Sequence, residues 1–565
     1  MPTKVRLFWG LLGFISIAFH LGLIFSGLVP NLISRPLHMA LALPWALVFI
    51  ARTPLQRVSG IILTLAGGAA TVWVAFNQSA LSDQYGFLSG DFQLVLAITL
   101  LVTVLEMARR SIGWPLPVVA ALALAYGLFG QHIPGEFGHP GTPLNSFLGT
   151  LTIAEGGLWG SLTAVSVNIV AIFVIFGAVL NAGEAGQGFM NVAAAAAGRL
   201  KGGAAKVSVI ASALFGSISG SASANVASTG AITLPTMTRL GYPKALAGAV
   251  EAVASSGGQI MPPLMGAGAF VMVELTGTPY TGIMAAALLP ALLYFIAVWI
   301  GIDGFSTRYE LRGLSAEERP SAQDVLITSA FFMVPFSVLL WGIFIGDFTP
   351  QYAACLAILA GVLLLPFDAR LKLDIRRTAE RVLDACISAG SQIAMIGAII
   401  LCASIVIGVL GITGLGVKIT SVILSGSGGM LWPALSVAGP ALISLGLEPL
   451  LAHLFVFWFA LLSTITPPVC GAVFIAAGIV GENWLKVAIF AMALGLGLYL
   501  IPLGMVANRD LVALADAPLS ALFAMLKVGV GIALISNGVI TPKVWFLRAG
   551  LVVAGGVVVF APVSI

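Results

Sequence analysis

Apolar runs of roughly 16 to 25 residues recur from Phe8 to Val563, each long enough to carry a helix across the ~30 Å hydrocarbon layer of a bilayer. Nothing else in the chain constrains its fold so strongly. Only 8% of the 565 residues are charged and 59% are hydrophobic, with a mean hydropathy of +1.07, whereas soluble domains carry about 25% charged residues. At ~20 residues per crossing the runs divide into about fifteen membrane-embedded segments. The expected fold is an all-α polytopic membrane protein with no room for a large soluble domain between spans.

The first run, after Lys4 and Arg6, continues to Val29 without a clear small-residue cleavage site and reads as a retained span. Arg52 and Arg57, Arg109 and Arg110, and Arg199, Lys201 and Lys206 fall in alternate connections, while the connections between them hold Asp83, Asp91 and Glu136. The positive-inside rule then puts the N-terminus and the basic loops in the cytoplasm. The formal net charge of +4 therefore reports topology and does not call for an anionic partner such as nucleic acid. Cys355, Cys386, Cys402 and Cys470 have neither metal-ligand nor redox spacing and read as core residues. His20, His38, His132 and His139 show no metal-ligand spacing either.

Against this background the stretch GSISGSASANVASTGAITLPTM, Gly216 to Met237, is anomalous. It makes a poor lipid-facing helix. Basic residues flank it on both sides, Lys206 before and Arg239 and Lys244 after, so the chain leaves and re-enters the same face. Two full helices would do this, but arms of about 15 residues fall short of the ~20 needed to span, which favours a re-entrant hairpin with GSISGSASAN at its tip. Irregular backbone at membrane depth is tolerated only where protein or a polar cavity surrounds it. Close helix packing by small residues is the competing explanation; the amide of Asn225, which needs partners, argues for a site.

The following segment, GYPKALAGAVEAVASSGGQIMPPLMGAGAFVMVEL, places Pro262 and Pro263 in the middle of an apolar helix pattern beside Gly257 and Gly258. Proline removes an N–H and clashes with the preceding turn, so the helix should break there. The same device returns in FALLSTITPPVCGAVFIAAG, where Ile465, Pro467, Pro468, Gly471 and Ala472 match Ile260, Pro262, Pro263, Gly266 and Ala267. Basic residues put the start of the first broken helix in the cytoplasm. The second starts after a stretch holding only Lys418, which puts it outside, so the two are inverted. Inverted repeats with broken helices in matching places point to a secondary transporter with its site near the bilayer midplane. Hydroxyls and unwound carbonyls there suit a hard cation such as Na⁺.

Glu251, inside an apolar stretch, has two readings: a functional intramembrane carboxylate, or a side chain snorkelling to the interface near Lys244. Arg370 to Asp384 reads as an amphipathic interfacial connection. An intramembrane enzyme would need an HExxH helix, paired aspartates or a Ser/His pair, and none occurs at useful spacing. ATP binding through a G-x-x-x-x-G-K-[ST] loop is excluded by the absence of that sequence. Gly/Ser-rich re-entrant loops also build channel filters; the inverted repeat within one chain favours a carrier over a channel.

The run ALFGSISGSASANVASTGAITLPTMTRLGYPKALAGAVEAVASSGGQIMPPLMGAGAFVM, together with LLAHLFVFWFALLSTITPPV, resembles the permease of TRAP (tripartite ATP-independent periplasmic) transporters, fused small and large subunits of the TAXI-associated branch. The resemblance extends from about Arg110 to Gly481. It implies a secondary active importer of organic acids, of the carboxylate or dicarboxylate class, in a prokaryotic inner membrane. The importer is driven by a Na⁺ gradient through an elevator movement and fed by an extracytoplasmic TAXI-type binding protein. Residues 1–110 would correspond to the small subunit, 111–508 to the large transport region and 509–565 to a C-terminal extension. The ion and substrate site would comprise Ser219, Ser221, Ser223 and Asn225 at the hairpin tip and Gly257, Gly258 and Gln259 at the first break. Ser463, Thr464 and Thr466 at the second break would complete it. No cofactor and no metal other than Na⁺ is implied.

One departure stands out. Family members carry a second hairpin with a Gly-Met-Gly-x-Pro-Thr-Thr tip, where this chain reads SGSGGMLWPALSVAGPALISLGLEPLLAHLFVF. Only 18 residues separate Gly429 from Glu448, enough for about one crossing. A degenerate second hairpin, and with it a transport-inactive permease, is therefore an alternative to the active importer, as is an ion channel.

Overall fold

The computed structural model describes residues 3–27, 29–263, 265–419, 442–443, 446–467, 470–540 and 544–561. Among them 11 helices are long and apolar enough to cross a membrane, and shorter apolar helices such as Gly203–Ser219 and Pro449–Leu462 accompany them. The all-α polytopic fold read from the apolar runs is the fold observed. The segment expected to carry a degenerate second hairpin, Ser425 to Gly429 and onward, lies outside the described residues, as does Pro468. By its contacts the chain divides into two compact units: Met1–Ala182 with Val338–Leu363 and Asp374–Leu445, and Gly183–Ser337 with Leu364–Leu373 and Gly446–Ile565.

The first unit begins with four consecutive apolar helices, Thr3–Ser26, Asn31–Phe49, Pro54–Phe76 and Gly90–Ile112. Local sequence sets their ends. Thr53 caps the third through a reciprocal bond with Gln56; Gly113, at φ +90°, ends the fourth, and Pro115 occupies the first turn of the next. A 39-residue helix, Ile375–Thr413, runs through this unit, and Thr3–Ser26 packs along it. Glycine makes that packing close: a Cβ on Gly13 would fall 2.1 Å from the Cys386 carbonyl oxygen. The amphipathic connection expected over Arg370 to Asp384 gives way from Ile375 to the first turns of this helix. Asp374, accepting from the Arg376 and Arg377 N–H groups at 2.9 and 3.2 Å, starts it there.

Some buried polar groups in the first unit are paired across helices. His20 and His38 meet ring to ring at 2.7 Å, with Ser16 O and Ser166 Oγ on their outer nitrogens. Their distance apart in sequence hides the pair from any spacing argument. Arg110, 5% exposed at its side chain, binds Glu106 at 2.6 Å and also the Leu47 and Gln56 carbonyls and the Ser59 hydroxyl.

In the second unit the Gly/Ser stretch is a helical hairpin, with arms Gly203–Ser219 and Ala222–Arg239. At 17 and 18 residues the arms are longer than expected, yet at 1.5 Å per residue each reaches only about 26 Å. The irregular tip is also far shorter than the ten-residue expectation. Gly220, at φ +58°, ends the first arm, and the Ser221 hydroxyl accepts from Ala224 N–H to start the second, so only these two residues leave the helix.

Both proline-marked helices are interrupted. The first runs Lys244–Gly257, breaks, and resumes as Ala267–Thr276; the second runs Pro449–Leu462 and resumes as Gly471–Val480. The leading half of the first packs on the trailing half of the second, and the trailing half of the first on the leading half of the second. The two therefore run antiparallel, as the inverted repeat required. Tyr280–Arg308 flanks the first break, and Tyr294 donates to the Val253 carbonyl at 2.8 Å.

Arg110→Ala should lower the apparent Tm of the detergent-solubilised protein by about 5 °C or more, since it takes the guanidinium donor away from the Leu47 and Gln56 carbonyls and from Ser59, while Glu106 keeps only Arg109. Arg376→Ala, 91% exposed beside Glu380, should leave Tm within about 1 °C by the same melting measurement.

Candidate functional site at the interrupted helices

The hairpin tip and the first break meet backbone to backbone. A Cβ on Gly216 would lie 2.1 Å from the Gly258 Cα, and one on Gly258 would lie 2.6 Å from the Gly216 Cα and 2.7 Å from the Asn225 amide nitrogen. A Cβ on Gly220 would lie 2.2 Å from the Met265 carbonyl oxygen. Only glycine allows this approach. The break itself is partly closed by short turns, with Gly258, Gln259 and Ile260 N–H bonded to the carbonyls three residues before them and Gly266 N–H to the Gln259 carbonyl at 2.6 Å. The Tyr280 hydroxyl takes the Pro263 carbonyl.

Asn225 is fully buried, and its amide donates to the Ser212 carbonyl at 2.8 Å, tying the second arm to the first. Two polar atoms at this junction remain open: Ser219 Oγ and Gln259 Oε1 are buried and make no hydrogen bond among the described residues. Unsatisfied buried oxygens are costly unless something occupies them. Both are hard donors of the kind Na⁺ takes, and the residues present thus fit a cation of this class.

The expected site residues fall into three positions. Ser219, Ser221, Asn225, Gly258 and Gln259 gather where the hairpin tip crosses the first break, between whose helical halves Pro262 and Pro263 lie, while Gly257 faces the Tyr294 and Phe295 rings of the flanking helix. Ser223 is exposed in the first turn of the second arm, facing the start of Gly471–Val480. At the second break, where Pro467 follows, Thr464 donates within 2.8 Å of Ser256 Oγ and so links the two breaks; Thr466 pairs with the Tyr499 hydroxyl at 2.8 Å. Ser463 is exposed and bonds back to the Ala460 carbonyl at 2.8 Å.

Sequence reasoning passed over Ser256 and Tyr499, and it left Glu251 between two readings. Snorkelling towards Lys244 is ruled out by the structure: Glu251 is fully buried and four hydroxyls converge on it, from Ser208, Thr229, Thr233 and Ser255. The signal was there in the helical spacing. Ser208 and Ser212, Thr229 and Thr233, and Glu251 and Ser255 are each i,i+4 pairs, three polar stripes on three elements of one bundle.

A cavity of about 570 Å³ lies on the other side of the second arm, lined by residues that include Asn191, Thr233, Arg239, Arg319 and Asp324. Arg239 pairs with Glu318 on its rim at 2.6 Å. The Ser315 N–H holds the Glu318 carboxyl below the usual carboxylate range, with help from the Ser315 hydroxyl and Arg239.

A helical membrane protein whose oppositely running broken helices and hairpin tip enclose unpaired oxygens has the construction from which secondary carriers are built. The family model that matches the chain is "Tripartite ATP-independent periplasmic transporter, DctM component", over residues 99–438 and 434–519. The chain belongs to this family, a family of transporter permeases and not of enzymes. Among its relatives are the C4-dicarboxylate TRAP transporter large permease protein DctM of Pseudomonas aeruginosa, 29% identical over 33% of this chain and 44% of that protein, and the isethionate TRAP transporter permease protein DctMQ of Oleidesulfovibrio alaskensis, 28% identical over 36% and 32%. The ectoine TRAP transporter large permease protein TeaC of Halomonas elongata is 24% identical over 45% of this chain and 56% of its own length. The chain thus spans about half the length, or less, of several curated relatives it matches.

Gly216→Ala and Gly258→Ala should each lower Tm by about 5 °C or more, because the new methyl meets backbone that cannot yield. Gly411→Ala, with nothing within 4 Å of its added Cβ, is the control in the same thermal melt and should change little.

Proposed function

We propose that the protein is the membrane permease of a binding-protein-dependent TRAP system, importing a small organic acid by secondary active transport. The observation that carries this reading is the junction of hairpin tip and first break, where Ser219 Oγ and Gln259 Oε1 are buried with no partner among the described residues, beside closely packed glycines. A coupling cation of the Na⁺ type would take these oxygens, with Thr464 and Thr466 serving a second position at the other break. Relatives named for C4-dicarboxylate, isethionate and ectoine support a small polar solute, and carboxylates remain the class proposed.

The extracytoplasmic partner proposed is a TAXI-type binding protein. The protein would sit in a prokaryotic cytoplasmic membrane with its N-terminus inside, an orientation supported by the basic loops at Arg52, Arg109 and Lys201. The elevator movement would carry the site across the membrane. Residues 1–110 would act as the fused small subunit, 111–508 as the transport region and 509–565 as an extension.

The test is uptake of labelled dicarboxylates into proteoliposomes, with a TAXI-type binding protein outside and a Na⁺ gradient imposed or absent. Saturable uptake requiring both is expected, falling by about tenfold or more in Ser219→Ala or Gln259→Leu, which remove a charge-oriented ligand each. Non-saturable flux independent of the binding protein would indicate a channel. No flux from well-folded protein would indicate a permease that has lost its cycle.

A further inference from the structure

We infer that Glu251 is a proton-binding site, a carboxyl that takes up and releases a proton inside the hairpin bundle and is wired to the hairpin tip. The inference goes beyond the transport reading, since it rests on the surroundings of one side chain.

Glu251 is fully buried, and among the described residues no fixed charge faces it from any element packed on its helix. On the first arm, Lys206 is held by Asp303 at 2.6 Å and lies over the Trp299 ring. On the second arm, Arg239 is held by Glu318. On Tyr280–Arg308, Arg308 lies over Tyr309 and Tyr294 donates to the Val253 carbonyl. On Trp484–Leu494, Lys486 pairs with Glu482 at 3.5 Å. Gly471–Val480 carries no charged residue, and on its own helix Lys244 is seven residues away, about 10 Å along the axis. Among the described residues no cluster of His, Cys, Asp or Glu is placed to hold a metal there.

The hydroxyl shell is built to serve both protonation states. Each threonine has one proton and more than one acceptor: Thr229 reaches Glu251 Oε1, the Asn225 carbonyl at 2.8 Å and Asn225 Oδ1 at 3.2 Å, and Thr233 reaches Glu251 Oε2 and the Thr229 carbonyl at 3.0 Å. With the carboxylate ionised, Ser208, Thr229, Thr233 and Ser255 all donate to it. With the carboxyl neutral, its proton goes to one threonine oxygen and that threonine turns its own proton to the backbone carbonyl. Neither state leaves the carboxyl group itself without hydrogen-bond partners, so neither is penalised as an isolated buried charge or orphan group would be.

An entry route is present. Thr233 lines the cavity of about 570 Å³ on its outer side and contacts Glu251 on the inner one. A hydronium in cavity water gives its proton to the Thr233 oxygen, which passes its own to Oε2, leaving water behind and a neutral acid within. The state is read at the tip through Thr229, whose hydroxyl also lies 3.2 Å from Asn225 Oδ1, the side chain whose amide nitrogen sits against Gly258.

The experiment is infrared difference spectroscopy on the full-length protein in lipid nanodiscs, titrated between about pH 9 and about pH 5. A carboxylic acid carbonyl band that grows on acidification, shifts in D₂O and is missing in Glu251→Gln is expected. Should Glu251→Gln fail to fold, Thr233→Val keeps the shape, removes one hydroxyl donor and should displace the same band. A spectrum with no pH-dependent band assignable to Glu251 by either variant would overturn the inference, as would a band that answers to Na⁺ at fixed pH and not to protons.

Discussion

Every feature of the second unit follows from one constraint: in a bilayer, a peptide group released from a helix finds no water. The hairpin tip and the two broken helices make three interruptions, and each must be lined by protein. The close contact of Gly216 with Gly258 answers this need, because removing both side chains lets the backbone of the tip cover the backbone of the break. Tyr294 on the Val253 carbonyl and Tyr280 on the Pro263 carbonyl close further groups from outside. What is left unpaired, Ser219 Oγ and Gln259 Oε1, is then a small and specific polar opening.

The sequence carried much of this plainly. Apolar runs spaced by short loops admit few folds other than a helical membrane protein, and proline pairs inside such runs break helices wherever they occur, so the broken helices at Pro262 and Pro467 were legible residue by residue. The hairpin was legible in kind but not in detail. A run as rich in glycine and serine as GSISGSASAN suggests coil, whereas neighbouring elements hold it helical to Ser219 and from Ala222, since burial of the backbone favours internally bonded helix over propensity.

Illegible were the partnerships across elements. Nothing in the local pattern around His20 announces His38, and nothing around Thr464 announces Ser256. Glu251 is the instructive case. Read with its own helix it has Lys244 nearby and an interface to reach. Read with the stripes at Ser208 and Ser212 and at Thr229 and Thr233, it has a complete shell. Spacing of i,i+4 identifies a polar face on each helix, but only the docking of the hairpin on Lys244–Gly257 turns three faces into one enclosure.

That enclosure also explains why charge is distributed as it is. In the second unit the ion-paired cations, Lys206 with Asp303, Arg239 with Glu318 and Lys486 with Glu482, stand towards the ends of their helices, while the bundle around the breaks is furnished with hydroxyls, an amide and one carboxyl. A fixed charge at low dielectric holds an opposite ion strongly enough to hinder its release, whereas neutral oxygen dipoles compensate an ion's hydration without trapping it. A site that must fill and empty in alternation is better made from such dipoles. A single titratable carboxyl behind them adds a charge that can be switched off by a proton, which a permanent ion pair could not do.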